Sequence, residues 1–131
     1  MSTPSTIASA QDHVNIARRL IECVTSGDAD GVAGLYHDDI ACWRNLDGRE
    51  LVKKQALSVV RFLGTLRDLR YEDVRIDPTP DGFVQQHVLC CTGPKGEAVR
   101  VPACLVAKVE GSRIVRIDEY ADSAAMAPLM G

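Results

Sequence analysis

Residues 26–45 read SGDADGVAGLYHDDIACWRN and form the most informative stretch of the chain. Gly27 suits the left-handed position that closes a helix, and Asp28 can accept hydrogen bonds from the first N–H groups of a following helix. Apolar side chains then recur three and four residues apart, at Val32, Leu35 and Tyr36. This pattern predicts a helix end, a short second helix at residues 29–36, and entry into a strand at residues 40–46.

The rest of the chain divides into a helical part and a strand part. Apolar residues at helical spacing predict helices at residues 10–25 and 50–66. Beyond them the period changes to two, which predicts strands at residues 70–77, 83–92, 98–109 and 113–121. Tight turns between consecutive strands imply antiparallel pairing. We therefore predict an α+β fold, in which a cone-shaped, curved antiparallel sheet wraps around the N-terminal helices.

The length of 131 residues is typical of one domain. We expect residues 1–9 to form a flexible, polar N-terminal segment and residues 10–131 to form the domain.

The composition argues against several classes of partner and cofactor. The net charge is −3 and the basic residues are dispersed, so we expect no nucleic-acid partner. No apolar run is long enough to span a membrane, and we expect no membrane partner. The five cysteines are odd in number and lack a Cys-x-x-Cys spacing, which predicts no disulfide framework, no metal site and a cytoplasmic location. No glycine-rich phosphate loop occurs, and we expect no cofactor.

Two segments give the chain a family resemblance. Residues 26–45 form the helical elbow described above, and residues 111–122, GSRIVRIDEYAD, look like a last strand. Together they resemble the nuclear transport factor 2-like superfamily, in the branch of SnoaL-like polyketide cyclases, ketosteroid isomerases and limonene epoxide hydrolases. The resemblance covers nearly the whole chain after residue 10 and implies the same cone-shaped fold.

The resemblance also implies catalytic residues. Epoxide-hydrolase relatives hold a water with an aromatic residue and an asparagine two apart on the first strand, and Trp43 and Asn45 match that spacing. Those relatives activate the water with a carboxylate near the end of the last strand, where Glu119 lies. The resemblance thus implies that Glu119 is a general base, with a pKa raised by an apolar cone. Each residue also has a structural reading: an ion-paired rim residue for Glu119, a turn residue for Asn45, and a core residue for Trp43.

The middle strand departs from the relatives. Residues 83–91 lack the Arg-x-Asp pair that epoxide hydrolases use as acid, and Gln86 is expected at one of those positions, facing the cone. His87 would then face outward, although a shift of one residue would bring it inside, together with Arg44 and Asp118. The chain also lacks the acids and the tyrosine of ketosteroid isomerases.

We therefore expect cofactor-free acid–base chemistry on a small, largely apolar molecule held in the cone: cyclisation, isomerisation or hydrolysis. The predicted catalytic residues are Glu119, Asn45 and His87. The predicted substrate-binding residues are Trp43, Gln86, Cys104, Leu105, Ile117 and Tyr36. The alternative is a non-catalytic ligand-binding or dimerisation module, and an adaptor for protein partners is a third possibility. The outer face of the strands is also apolar, which predicts a homodimer through the sheet.

Overall fold

The computed structural model describes residues 5–130, with side chains described from residue 10 onward. The helices are α1 (Ser5–Thr25), α2 (Ala29–Leu35) and α3 (Lys53–Leu63), followed near the C-terminus by a short 3-10 helix (Ala127–Leu129). The strands are β1 (Tyr36–Arg44), β2 (Arg49–Leu51), β3 (Arg67–Thr79), β4 (Gly82–Thr92), β5 (Ala98–Glu110) and β6 (Arg113–Ala121).

The strands form one curved sheet in the order β2-β1-β6-β5-β4-β3. The α+β class and the curved sheet packed on the N-terminal helices are confirmed. The expectation of a wholly antiparallel sheet is wrong, because β1 lies parallel to β6. Tight turns predict only the pairing of strands that follow each other, and β1 pairs with a strand about 75 residues further along the chain, as in the pair Arg44 and Glu119. Its placement beside β6 brings the first strand and the last strand into direct contact.

The elbow before β1 has the predicted geometry. Gly27 has a φ of 72°, in the left-handed region where glycine carries no steric penalty. The Asp28 carboxylate accepts a hydrogen bond of 2.9 Å from the Gly31 N–H and so caps α2. These two residues turn the chain from α1 into α2, and α2 leads directly into β1.

The core lies between the helices and the concave face of the sheet. Alternate residues of the strands point to this face. The strand side chains Phe83, Ile114 and Ile117 belong to one buried cluster with Leu20 and Val24 of α1 and Val60 of α3. A second cluster, formed by Leu89, Cys91, Val99 and Val101, extends the core toward the C-terminal segment. The concave face is therefore apolar, and any polar side chain on it lies in an unusual environment.

Some element bounds differ from the sequence-based expectation. The chain begins α1 at Ser5, five residues before the predicted start, and it forms β2 where the predicted third helix begins. Of the predicted flexible segment, residues 1–4 lie outside the described residues, and the flexibility of residues 1–9 stays a prediction. Within the described part of the chain, no helix is both long and apolar enough to cross a bilayer.

Candidate active site

A cavity of about 100 Å³ lies between α1, α3 and the concave face of the sheet. That volume is room for several water molecules or part of a small ligand. Most of its lining is aliphatic, contributed by Leu20, Ile21, Val24, Leu51, Ala56, Val59, Val60, Leu63, Leu105 and Ile117. The remaining lining residues carry polar or aromatic groups: Tyr36, Cys42, Trp43, Arg44, Tyr71, Gln85 and Glu119. The cavity therefore combines an apolar wall with a few polar groups, as ligand sites commonly do.

Glu119 supplies the carboxylate of this cavity. It alternates with Ile117 on β6, so both side chains face inward, and it lies beside Arg44 of β1 in the parallel pair. Its carboxyl accepts no hydrogen bond from the described residues. Burial raises the pKa of Glu119 because the charged form loses water, while Arg44 opposes that rise. The residue keeps some accessible surface although protein encloses it, since its side chain borders the open cavity.

Arg44 brings a positive charge to the cavity edge. Its Nε and Nη2 donate to the two carboxylate oxygens of Asp47 at 3.1 and 2.8 Å. This two-point contact fixes the plane of the guanidinium group. The hydrogen bond from Arg44 also holds the pKa of Asp47 below its usual range. Arg44 is thus a fixed cation beside Glu119, and its charge opposes the rise that burial causes in the pKa of that carboxyl.

Two phenols and a thiol also belong to the polar lining. Burial raises the pKa of Tyr36 and of Tyr71, and the nearby Glu119 charge adds to both effects. Burial likewise raises the pKa of Cys42 to about 12. All three groups therefore stay protonated near neutral pH. The tyrosines can donate hydrogen bonds, whereas Cys42 is not a thiolate nucleophile.

Gln85 and His87 form a buried pair on β4. Gln85 Nε2 lies 3.0 Å from His87 Nδ1, and the His87 ring stacks on Tyr71 with a centroid distance of 3.8 Å and an interplanar angle of 5°. Burial lowers the pKa of His87 to about 4, so the ring is neutral at physiological pH. Gln85 lines the cavity, whereas His87, two residues further along the same face of β4, contacts Gln85 but does not line the cavity. Because His87 does not contact the cavity directly, its position does not support a role in carrying protons to a ligand there.

The expected inward face of β4 is wrong by one residue. Gln86 is exposed on the convex face, paired with Cys104, which in turn lies beside Tyr120. Neither Gln86 nor Cys104 lines the cavity. The alternation of apolar residues defines two faces of a strand but not which of them is inside, and here both faces carry apolar residues.

The alternative constellation of Arg44, His87 and Asp118 is divided between the two faces. Arg44 and His87 lie on the concave side, whereas Asp118 points outward. There its carboxylate accepts two hydrogen bonds from Arg116, at 3.0 and 2.8 Å. Asp118 is therefore an ion-paired residue of the convex face and contributes nothing to the cavity.

Asn45 is engaged with the backbone of β6. Its Nδ2 donates to the Ala121 carbonyl at 3.1 Å, and its Oδ1 accepts from the Ala121 N–H at 2.9 Å. Its own backbone N–H donates to the Glu119 carbonyl at 3.0 Å. Both ends of the amide are thus occupied, and Asn45 does not line the cavity. It fixes the end of the strand that carries Glu119.

The other expected lining residues reach the cavity. Leu105, Ile117 and Tyr36 are buried in its wall. Trp43 also borders the cavity. Its side chain points to the convex face, opposite to that of its neighbour Arg44, and its ring packs against Tyr120 with the ring centroids 5.2 Å apart. The sequence pattern does not predict Tyr71 or Gln85 as lining residues, although both line the cavity. Both lie in predicted strands. Knowing which alternate residues of those strands face inward would have identified them.

Comparison with known proteins identifies the family. The profile of the SnoaL-like domain matches residues 17–117. None of the curated protein sequences is similar enough to this chain to match it. The chain therefore belongs to the SnoaL-like family, within the nuclear transport factor 2-like superfamily.

Solved structures share the fold. IdmH of Streptomyces antibioticus, a candidate polyketide cyclase, is 20% identical, with a TM-score of 0.76 over 90% of this chain and 98% of IdmH. An M. tuberculosis LEH-like epoxide hydrolase is 16% identical, with a TM-score of 0.71 over 93% of this chain and 92% of that one. A nuclear transport factor 2-like protein of Burkholderia xenovorans LB400 is 16% identical, with a TM-score of 0.73 over 90% and 95%. At these identities the likeness shows the fold and not the reaction.

Proposed function

We propose that this member of the SnoaL-like family catalyses cofactor-free acid–base chemistry on a small, largely apolar molecule, with Glu119 as the general base. The observation that carries the proposal is the unpartnered Glu119 carboxyl in an apolar cavity. A carboxylate that has lost hydration and has a raised pKa is a stronger base than one in water. The reaction classes open to such a base are isomerisation, cyclisation and hydrolysis.

The surrounding groups favour removal of a proton from carbon over opening of an epoxide. A proton abstraction next to a carbonyl leaves negative charge on the carbonyl oxygen. Tyr36, Tyr71 and Arg44 are the donors of the cavity that can stabilise such an oxygen. Because the pKa values of both tyrosines are raised, these phenols suit hydrogen-bond donation and not full proton transfer. Epoxide opening needs a proton donor, so we rank isomerisation or aldol-type cyclisation above hydrolysis.

The names of the structural relatives are compatible with this range of reactions. IdmH is a candidate polyketide cyclase, and the mycobacterial protein is an epoxide hydrolase. A polyketide cyclase and an epoxide hydrolase act on organic molecules, and each name describes that protein alone. For this chain the support comes from the charges and the lining of its own cavity.

A turnover screen tests the proposal. The purified protein is incubated with small β-hydroxy ketones, enones, diketones and epoxides, and product formation is followed by mass spectrometry and NMR. Glu119→Gln keeps the size and the polarity of the side chain but removes the base. We expect any turnover found to be lost in Glu119→Gln while ligand binding is retained. Turnover that persists in Glu119→Gln would contradict the assignment of Glu119.

A non-catalytic ligand-binding module is the second candidate. The absence of an acid partner for Glu119 among the described lining residues favours it. In that case compounds of the same panel bind but are not converted, and Glu119→Gln has little effect on their affinity. Leu105→Ala truncates a side chain of the cavity wall. It should weaken ligand binding whether or not the protein is an enzyme, so it serves as the positive control.

We also propose that the convex face of the sheet forms a homodimer interface. This face carries Val84, Val88, Trp43, Cys104, Val106 and Tyr120. Val106 is 37% exposed and Tyr120 is 49% exposed, which is unusual for apolar residues in the middle of a sheet. Sedimentation velocity at micromolar concentration should give a dimer, and Val106→Glu should give a monomer. A monomeric wild-type protein would contradict the proposal.

The five free thiols support a cytoplasmic location, since cysteines remain reduced there. Cell fractionation of the native source is the direct test, and recovery of the protein outside the cytoplasmic fraction would contradict it.

A further inference from the structure

The side-chain oxygen of Gln85 is a buried acceptor without a hydrogen-bond partner among the described residues. Gln85 is 1% exposed, and it lines the cavity. A buried carbonyl oxygen that lacks a partner costs free energy, and native structures leave few of them. No other buried side-chain nitrogen or oxygen in the described part of the chain lacks a partner. Gln85 thus adds a buried, unpartnered acceptor to the wall of the cavity, beside the acceptor that the Glu119 carboxyl provides.

The orientation of this amide depends on its neighbour. Gln85 Nε2 lies 3.0 Å from His87 Nδ1, and that contact requires Nδ1 to be an acceptor. A neutral imidazole with its proton on Nε2 has such a lone pair, whereas an imidazolium ring does not. Burial keeps His87 neutral, with a pKa of about 4. The stacked ring of Tyr71 then holds the imidazole in place. With the nitrogen of the amide committed to His87, the oxygen is left without a partner, on a residue that lines the cavity.

We propose that the Gln85 amide oxygen selects ligands that carry a hydrogen-bond donor, so that the substrate is a small apolar molecule bearing a hydroxyl group. The inference rests on the proposed function only in using the same cavity as the substrate site. Gln85 is a specificity-determining residue in this account. Glu119 performs the chemistry, and Gln85 reads the hydroxyl group.

Matched probes of similar shape test this selection. Phenol carries a hydroxyl donor, and toluene replaces that hydroxyl with a methyl group. Their dissociation constants are measured at pH 7 by titration in amide NMR spectra of wild type, Gln85→Leu and Glu119→Leu. The readout is the ratio of the toluene constant to the phenol constant, which removes effects common to both ligands.

We expect this ratio to fall about five- to tenfold in Gln85→Leu, which is the loss of one hydrogen bond to a buried acceptor. Glu119→Leu should leave the ratio within about twofold of the wild-type value. Gln86→Leu is the matched control, because it removes the neighbouring glutamine from the convex face and should change nothing. A ratio that falls in Glu119→Leu and not in Gln85→Leu would overturn the proposal, since the carboxylate would then read the donor. A ratio unchanged in both would also overturn it, because a fixed water would satisfy Gln85.

A second measurement needs no variant and covers the case in which Gln85→Leu fails to fold. Nitrogen-15 NMR of histidine-labelled wild-type protein reports which ring nitrogen of His87 carries the proton. We expect the proton on Nε2 at pH 7, with Nδ1 unprotonated. A proton on Nδ1 would mean that the amide is reversed and presents its NH2 group to the cavity, which would overturn the proposal.

The two hypotheses fail in different ways. Turnover that persists in Glu119→Gln contradicts the catalytic assignment and leaves the phenol preference intact. A phenol preference that is independent of Gln85 contradicts the present inference and leaves the role of Glu119 untouched.

Discussion

Asp118 and Glu119 are neighbouring acids on one strand, yet their surroundings are opposite. Asp118 lies on the convex face, where the Arg116 guanidinium donates two hydrogen bonds to its carboxylate. Glu119 lies on the concave face, where its carboxyl has no hydrogen bond from the described residues and burial raises its pKa. One residue along a strand therefore separates a surface ion pair from a carboxyl that lines the apolar cavity.

The same contrast recurs on β4. Gln85 is 1% exposed and pairs with His87, whereas Gln86 is exposed on the other side of the strand. In each of these two pairs, the residues have similar side chains, yet only one of them lines the cavity. Residue type alone therefore does not identify the residues of the site. The face on which a residue lies determines whether it meets water or the apolar cavity, and the environment then determines its chemistry.

The largest expected effect comes from the two acids. Glu119→Gln should lower kcat by at least about 100-fold, because positioned general bases contribute roughly 10² to 10⁴ in rate. Asp118→Asn should leave kcat within about twofold, since its carboxylate contacts only the convex face. Steady-state kinetics on any substrate found in the turnover screen provide the measurement. Equal losses of kcat in the two variants would contradict the view that only the acid on the concave face takes part in catalysis.

The next effect concerns the contact that fixes the end of β6. Asn45→Ala removes two hydrogen bonds to the Ala121 backbone and should lower the free energy of unfolding by about 1 kcal/mol. Urea unfolding followed by circular dichroism measures this loss. Asn15→Ala is the matched control, since among the described residues that amide hydrogen-bonds only with the exposed Gln11 side chain, and its loss should cost less than about 0.5 kcal/mol. Equal losses would mean that Asn45 does not hold the strand.

A smaller effect should appear in the pH dependence of stability. Because the folded-state pKa of Glu119 is raised, the fold favours the protonated carboxyl. The stability that this protonation contributes is present at low pH and is lost as pH rises through the folded-state pKa. Glu119→Gln stays neutral at every pH, so its Tm should exceed that of wild type more at pH 8 than at pH 4. A difference that shrinks with rising pH would show that the carboxylate is stabilised in the folded state.

The smallest effect belongs to the convex face. Asp118→Asn weakens an ion pair that is partly exposed, with 37% of the Arg116 side chain and 27% of the Asp118 side chain accessible. Such pairs contribute little, and we expect a loss of about 0.5 kcal/mol in urea unfolding at low salt, decreasing as salt is added. A loss of several kcal/mol would show that this face carries a structural network.

Much of the fold could be predicted from local patterns. The elbow at Gly27 and Asp28 follows from the chemistry of helix ends, and β6 begins and ends at the predicted residues, Arg113 and Ala121. The parallel pairing of β1 with β6 could not be predicted this way, because it joins distant parts of the chain that no turn connects. The strand β2 contains three residues, too few for a period to be recognised.

The site was harder to predict than the fold. Glu119 was selected through the family resemblance, and it lines the cavity. Gln86 was selected in place of Gln85 because both faces of β4 carry apolar residues, which leaves the inward phase undetermined. Asn45 matched the spacing of a water-binding residue in the relatives, but its amide is satisfied by the end of β6. Spacing along one strand does not report which partner lies on the neighbouring strand.

The pKa of the Glu119 carboxyl is the direct test of its proposed role as a general base. Carbon-13 NMR follows the side-chain carboxyl resonances of wild-type protein through a pH titration, and Glu119→Gln assigns the resonance by its disappearance. We expect a pKa above the ordinary value of 4.5, because the carboxyl lies in an apolar cavity without a hydrogen-bond partner among the described residues. A pKa at or below 4.5 would mean that the carboxylate is hydrated or paired, and Glu119 would then lack the basicity that the proposed function requires.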